Sequence, residues 1–203
     1  MKINSTQLLD AYEQARAYAT TDAEVATAFM PIEQIFEDKK RKPDACIMVY
    51  GVYNAGKSTL INALLGREEA AVDDIPKTDQ VTAYAWDKYT ILDTPGVDAP
   101  IAHEDVTKAQ MLKADAIIFV VDPLGTVEEA KTLEVLVDLL AEHKQVFMVF
   151  NDKKGLSDED FIKLKDQTRD QLQQIAATRG MSNILKDVPI VKINAKRALN
   201  GQL

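Results

Sequence analysis

Between an apolar run, Ala45–Tyr50, and a stretch with helical patterning, Ser58–Leu65, the chain carries Gly51-Val-Tyr-Asn-Ala-Gly-Lys-Ser58. A short strand that ends in Gly-x-x-x-x-Gly-Lys-Ser and opens a helix reads as a phosphate loop. The glycines let the main chain wrap closely round an anion, so that successive N–H groups point inward. The helix behind them adds the positive end of its dipole. Lys57 brings an ammonium to the β- and γ-phosphates, the Ser58 hydroxyl is a ligand for Mg2+, and Thr59 is placed to meet the α-phosphate. The motif needs a strand before it and a helix after it, which commits this part of the chain to an α/β fold.

The rest of the sequence agrees. Strands are expected at Val81–Trp86, Tyr89–Leu92, Ala116–Val121, Gln145–Phe150 and Val188–Ile193, and helices at His103–Lys113, Thr126–Glu142 and Ser157–Arg179. Fully apolar strands separated by amphipathic helices imply a mostly parallel sheet covered on both faces, a three-layer sandwich. Only a tight Asp-Lys turn separates Val81–Trp86 from Tyr89–Leu92, too short for a crossover, so one strand of that pair runs antiparallel. Ahead of this region, Leu8, Leu9, Tyr12, Ala15 and Ala19 form one helical face. Val25, Phe29, Ile32 and Phe36 form another, with the join near Thr20. Thr21-Asp-Ala-Glu24 has capping-box spacing, and Pro31 is expected to kink the second helix. The expected division is a helical segment over 1–42 and the α/β domain over 43–203.

A second motif, Asp93-Thr-Pro-Gly96, follows the strand Tyr89–Leu92 at the carboxyl edge, where ligands of open α/β sheets bind. Asp93 is expected to hold Mg2+ through a water and the Gly96 amide to meet the γ-phosphate. Because that contact exists only while the γ-phosphate is present, hydrolysis would release the segment after Gly96.

Residues 51–66 together with Asp93-Thr-Pro-Gly96 resemble translation-factor-class P-loop GTPases over about residues 45 to 200. The likeness is greatest to the Era-like and dynamin-like branches, above all the GTPase domain of a bacterial dynamin-like protein. The resemblance implies binding and Mg2+-dependent hydrolysis of GTP, with Asn54, Ala55, Gly56, Lys57, Ser58 and Thr59 around the nucleotide and Lys57, Thr78, Gly96 and Asn54 at the chemistry. It implies a switch threonine on Mg2+, for which Pro76-Lys-Thr78 is the best match and Thr82 the alternative, so that Ser58, Thr78 and Asp93 form the metal set. Asn54 matches an asparagine that helps hold K+ beside the phosphates, although loop stabilisation explains an asparagine there equally well. The resemblance also implies a homodimer across the nucleotide face and allows membrane association through regions outside this chain.

The family reads guanine with Asn-Lys-x-Asp, and this chain has Asn151-Asp152-Lys153-Lys154. Lys154 replaces the base-reading acid. Asp152 reaching the base with Lys153 stacked on it, and a loss of base recognition, both remain open. Asn194-Ala195-Lys196 matches the loop whose backbone supports the base, which makes Ala195 and Lys196 nucleotide-binding. Val97 stands where a water-orienting glutamine is found in Ras-type relatives, so slow hydrolysis in isolation is expected. His103 is a weak candidate for the missing group. The family's last helix is expected to begin at the end of the chain, leaving one face of the sheet partly bare unless other helices cover it.

Net charge is −8, with basic and acidic residues mixed throughout the 203 residues, an arrangement unsuited to a nucleic-acid face. One cysteine, Cys46, in an apolar run, fits a reducing compartment, and no secretory signal or spanning segment is seen. The expected location is cytoplasmic, or peripheral to a membrane in a longer protein. Two readings compete with the GTPase switch: an interaction module with a degenerate nucleotide site, and an Era-like ribosome-associated GTPase.

Overall fold

The computed structural model describes residues 5–41, 44–52, 54–71, 81–94, 111, 113–123, 129–142, 144–181 and 188–201. Thr78, Gly96, Val97, His103 and nearly all of the helix expected over His103–Lys113 lie outside them. The chain divides into two units, Met1–Asp44 and Ala45–Leu203.

The smaller unit is a pair of helices, α1 (Ser5–Ala19) and α2 (Ala23–Arg41). Half of the stripe on α2, Phe29 and Phe36, packs on α1, while Val25 and Ile32 are exposed. Tyr12, only 4% exposed, stacks on Phe36 with ring centroids 3.9 Å apart and on Phe29 at 5.8 Å. The cap of α2 is one residue later than the Thr21–Glu24 spacing suggests. Asp22 Oδ1 accepts the amides of Glu24 (2.8 Å) and Val25 (3.2 Å), whereas the Thr21 hydroxyl donates back to Tyr18 O at the end of α1. An aspartate accepts two first-turn amides and also favours the positive helix end. Pro31 lies inside α2, which continues through it to Arg41.

The larger unit is a six-stranded sheet in the order β2-β3-β1-β4-β5-β6. Its strands are β1 (Ala45–Gly51), β2 (Thr82–Trp86), β3 (Tyr89–Asp93), β4 (Ala116–Val121), β5 (Gln145–Asn151) and β6 (Ile190–Ile193). All pairings are parallel except β2 with β3, which turn through Asp87 at φ 51°. The helices are α3 (Lys57–Leu65), α4 (Glu129–Ala141), α5 (Asp158–Thr178) and the short α6 (Ala195–Leu199). Side chains alternate across each strand, so the sheet has two cores. On one face Met48, Phe119, Met148 and Phe150 pack under Leu136 and Val137 of α4 and Leu172 of α5. On the other, Val49, Ile91, Val120 and Val149 pack under Leu60 and Ile61 of α3 and Ala195 of α6. That second face is incompletely covered: Phe147 of β5 is 38% exposed and Val191 of β6 44% exposed. The loops after β1, β5 and β6 and the end of β3 lie at the carboxyl ends of the parallel strands.

Candidate functional site

The loop after β1 is held by close packing that only glycine permits at two positions. A Cβ on Gly51 would lie 2.0 Å from Val120 O, and one on Gly56 (φ 91°) would lie 2.2 Å from Asn151 Nδ2. Asn54 takes a left-handed conformation at φ 59° and is exposed, while Ala55 is fully buried beneath it. Gly56 caps α3 without a side-chain hydrogen bond. The first amides of α3 are therefore available to an anion. Lys57 is turned inward and buried, its ammonium donating to Val52 O (2.9 Å) and Gly51 O (3.3 Å) across the mouth of the loop. Thr59, on the next position of α3, is half-buried.

Asp93 ends β3 opposite this helix and is 3% exposed. Its Oδ2 accepts the Ser58 hydroxyl at 3.2 Å, while Oδ1 is buried with no hydrogen-bond partner among the described residues. Burial raises the Asp93 carboxyl above the ordinary carboxylate range, against the lowering effect of the Lys57 ammonium and the Ser58 and Thr94 hydrogen bonds. A buried carboxylate oxygen with nothing to bind, next to a serine hydroxyl, is a donor set suited to a hard divalent cation. Among the described residues no three carboxylate, histidine or cysteine side chains cluster. Phosphate and water usually supply much of the shell of a bound Mg2+.

Asn151, at the end of β5 and buried, ties two loops together. Its Nδ2 donates to Ala55 O at 2.9 Å and its Oδ1 accepts the Ala195 amide at 3.0 Å. Lys153 reaches the phosphate loop as well, donating to Asn54 O and pairing with Asp122 at 3.4 Å. Asp152 caps its own loop. Its carboxylate accepts the amides of Lys154, Gly155 and Leu156 and is buried within its own loop. Asn194 fixes the neighbouring loop, donating to Asp152 O (2.7 Å) and capping α6 through Arg197 N (2.9 Å); Lys196 is exposed. The sequence reading overlooked two polar supports. Thr94, fully buried, donates to Val49 O at 2.8 Å and pins the end of β3 to β1. Asn62 on α3 holds Glu69 and Ala70 through three hydrogen bonds.

The strand–phosphate loop–helix unit, with Lys57 inward and Asp93 beside Ser58 at the carboxyl edge of the sheet, defines a P-loop GTPase domain. Residues 46–152, just over half of the chain, match the family described as 50S ribosome-binding GTPase, and the chain belongs to that family. It is 30% identical to GTPase Der of Persephonella marina over 192 residues, covering 82% of this chain and 43% of that protein. It is 34% identical to GTPase Der of Streptomyces coelicolor over 139 residues, 63% of this chain and 30% of that one. The chain thus spans less than half the length of these curated relatives. Among solved structures, a bacterial dynamin from an oligomerised pair described as sensing and tethering membranes superposes with a TM-score of 0.67 at 17% identity. That match covers all of this chain and 49% of the other, and it is a likeness of fold.

Proposed function

We propose that this chain binds GTP with Mg2+ and hydrolyses it, the larger unit serving as a nucleotide-dependent switch. The observation that carries the reading is the combination of an inward Lys57 with an Asp93 oxygen that has no hydrogen-bond partner among the described residues, next to Ser58. The loop amides and the Lys57 ammonium hold the β- and γ-phosphates against the start of α3. Ser58 and Asp93, the latter through a water, hold Mg2+, and Thr78 and Gly96 complete the set in the presence of the γ-phosphate. A Mg2+ held there would offset charge on the phosphate oxygens during hydrolysis. Val97 carries no group to orient that water, so backbone groups, a cation such as K+ near Asn54, or a partner supplies the function and the isolated domain is slow. Calorimetry with GTP and Mg2+ tests the reading. Lys57→Ala is expected to weaken binding roughly 100-fold, and no binding to the unaltered chain at millimolar GTP sinks it.

Two branches remain in play. The helix pair ahead of the larger unit, and a fold likeness that extends over it, favour a dynamin-like protein with a homodimer across the nucleotide face and membrane association through other regions. The 30% identity to Der over 192 residues favours an Era/Der-type, ribosome-associated GTPase. Co-sedimentation in GTP with 50S subunits and, separately, with anionic liposomes separates them. We place the dynamin-like reading first, and pelleting with 50S subunits alone reverses that order.

A further inference from the structure

Building on the proposed nucleotide site, we propose that its base pocket accepts purines with little selection for guanine, and that residue 154 determines this. Guanine presents two donors on one edge, N1–H and the 2-amino group. A carboxylate accepts both at once; hypoxanthine offers only the first donor, and adenine replaces it with an acceptor. The loop Asn151-Asp-Lys-Lys-Gly-Leu-Ser157 contains one carboxylate, Asp152. That carboxylate is spent: Oδ1 accepts the amides of Lys154 (3.1 Å) and Gly155 (2.8 Å), and Oδ2 accepts the Leu156 amide. Turning it toward a base would give up all three of these bonds from backbone amides at once, and bonds to a charged acceptor are the stronger ones.

The other side chains of the loop are also accounted for. Asn151 bridges Ala55 and Ala195, and Lys153 is drawn to Asn54 O and Asp122. Lys154 is left, exposed, as the side chain able to meet a base, and it presents donors where guanine has donors. The bridges still place the loop against the phosphate site, so a purine gains shape and the Lys153 stem but no edge-reading acceptor. A site built to pair a polar edge rejects analogues lacking it by large factors, and a site without that pairing does not.

Calorimetry on the full chain with Mg2+ and GTP, ITP, ATP or inorganic tripolyphosphate tests this. The expected result is affinities for the three nucleotides within about 5-fold of one another. Lys154→Asp is expected to restore a preference for GTP over ITP of roughly 10- to 100-fold, the range of hydrogen bonds to a charged acceptor. A preference of the unaltered chain for GTP over ITP beyond about 10-fold overturns the inference. If Asp122→Asn abolishes such a preference, the reading acid is Asp122 instead. Lys154→Asp leaving the ratios unchanged overturns it too. Failure of all four ligands to bind overturns the phosphate site itself, whereas binding of tripolyphosphate with selective GTP binding overturns only this inference.

Discussion

At the scale of single residues, Asp93 carries opposing demands. Its carboxylate is buried with one oxygen lacking a partner among the described residues, and burial raises its pKa, so the charge a cation requires is a cost to the nucleotide-free chain. For an acid whose folded pKa exceeds its unfolded value, the folded state binds the proton more tightly. Stability is therefore greatest below the unfolded pKa, near 3.8 in the ordinary aspartate, and falls as pH rises through the folded value. Asp93→Asn is expected to stabilise the nucleotide-free chain at pH 7 by about 1–3 kcal/mol, with the gain shrinking as pH approaches 4, while Mg2+ ceases to strengthen GTP binding. Melting curves across pH with calorimetry check both halves, and an asparagine variant less stable than its parent at neutral pH would contradict the assignment. Gly56 permits a sharper test. A Cβ there meets Asn151 Nδ2 at 2.2 Å with φ at 91°, so Gly56→Ala is expected to cost about 1–3 kcal/mol. It should also weaken GTP binding, and a variant matching the parent in both would mean that the loop is not held by this contact.

Elements were more legible in the sequence than the links between them. β4 has the expected ends, Ala116 and Val121, because an apolar run bounded by Asp115 and Asp122 has little freedom of register. That Lys57, Ser58 and Asp93 share one sheet edge was legible too, and the structure sets Ser58 on Asp93 within the field of the Lys57 ammonium. Asp152 was not, because no pattern tells whether a loop carboxylate turns toward a ligand or caps its own amides; Thr94 and Asn62, single polar residues in apolar surroundings, leave no periodic signal. Thr21 and Asp22 are both good caps one residue apart, and only the built helix selects Asp22. The most consequential link hidden from the sequence is Asn151, which joins the loop after β1 to the start of α6 through two buried hydrogen bonds. Asn151→Ala would leave Ala55 O and the Ala195 amide unpaired, at about 1–3 kcal/mol for each buried group that water cannot reach. The expected outcome is a lower melting temperature together with weaker nucleotide binding. Retained affinity in a destabilised variant would assign Asn151 to the fold alone.

For the molecule as a whole, the two units have separate cores, one built on the Tyr12–Phe36 stack and the other on the sheet. The phosphate loop, Asp93, the loop after β5 and α6 all belong to the larger unit, so a ligand bound there adds its free energy to that unit directly. At a ligand concentration about 100 times Kd this amounts to about 2.7 kcal/mol, or a rise of a few degrees in melting temperature. Trp86, the single tryptophan, lies in β2 and reports the larger unit, whereas circular dichroism also includes the helix pair. Under Mg2+ and GTP the Trp86 fluorescence transition is expected to move upward, while a helical component of the dichroism signal melts at an unchanged temperature. Two units that stand apart energetically require this separation. If both probes instead trace one transition that moves as a whole, the nucleotide is felt by α1 and α2. The helix pair is then part of the switch.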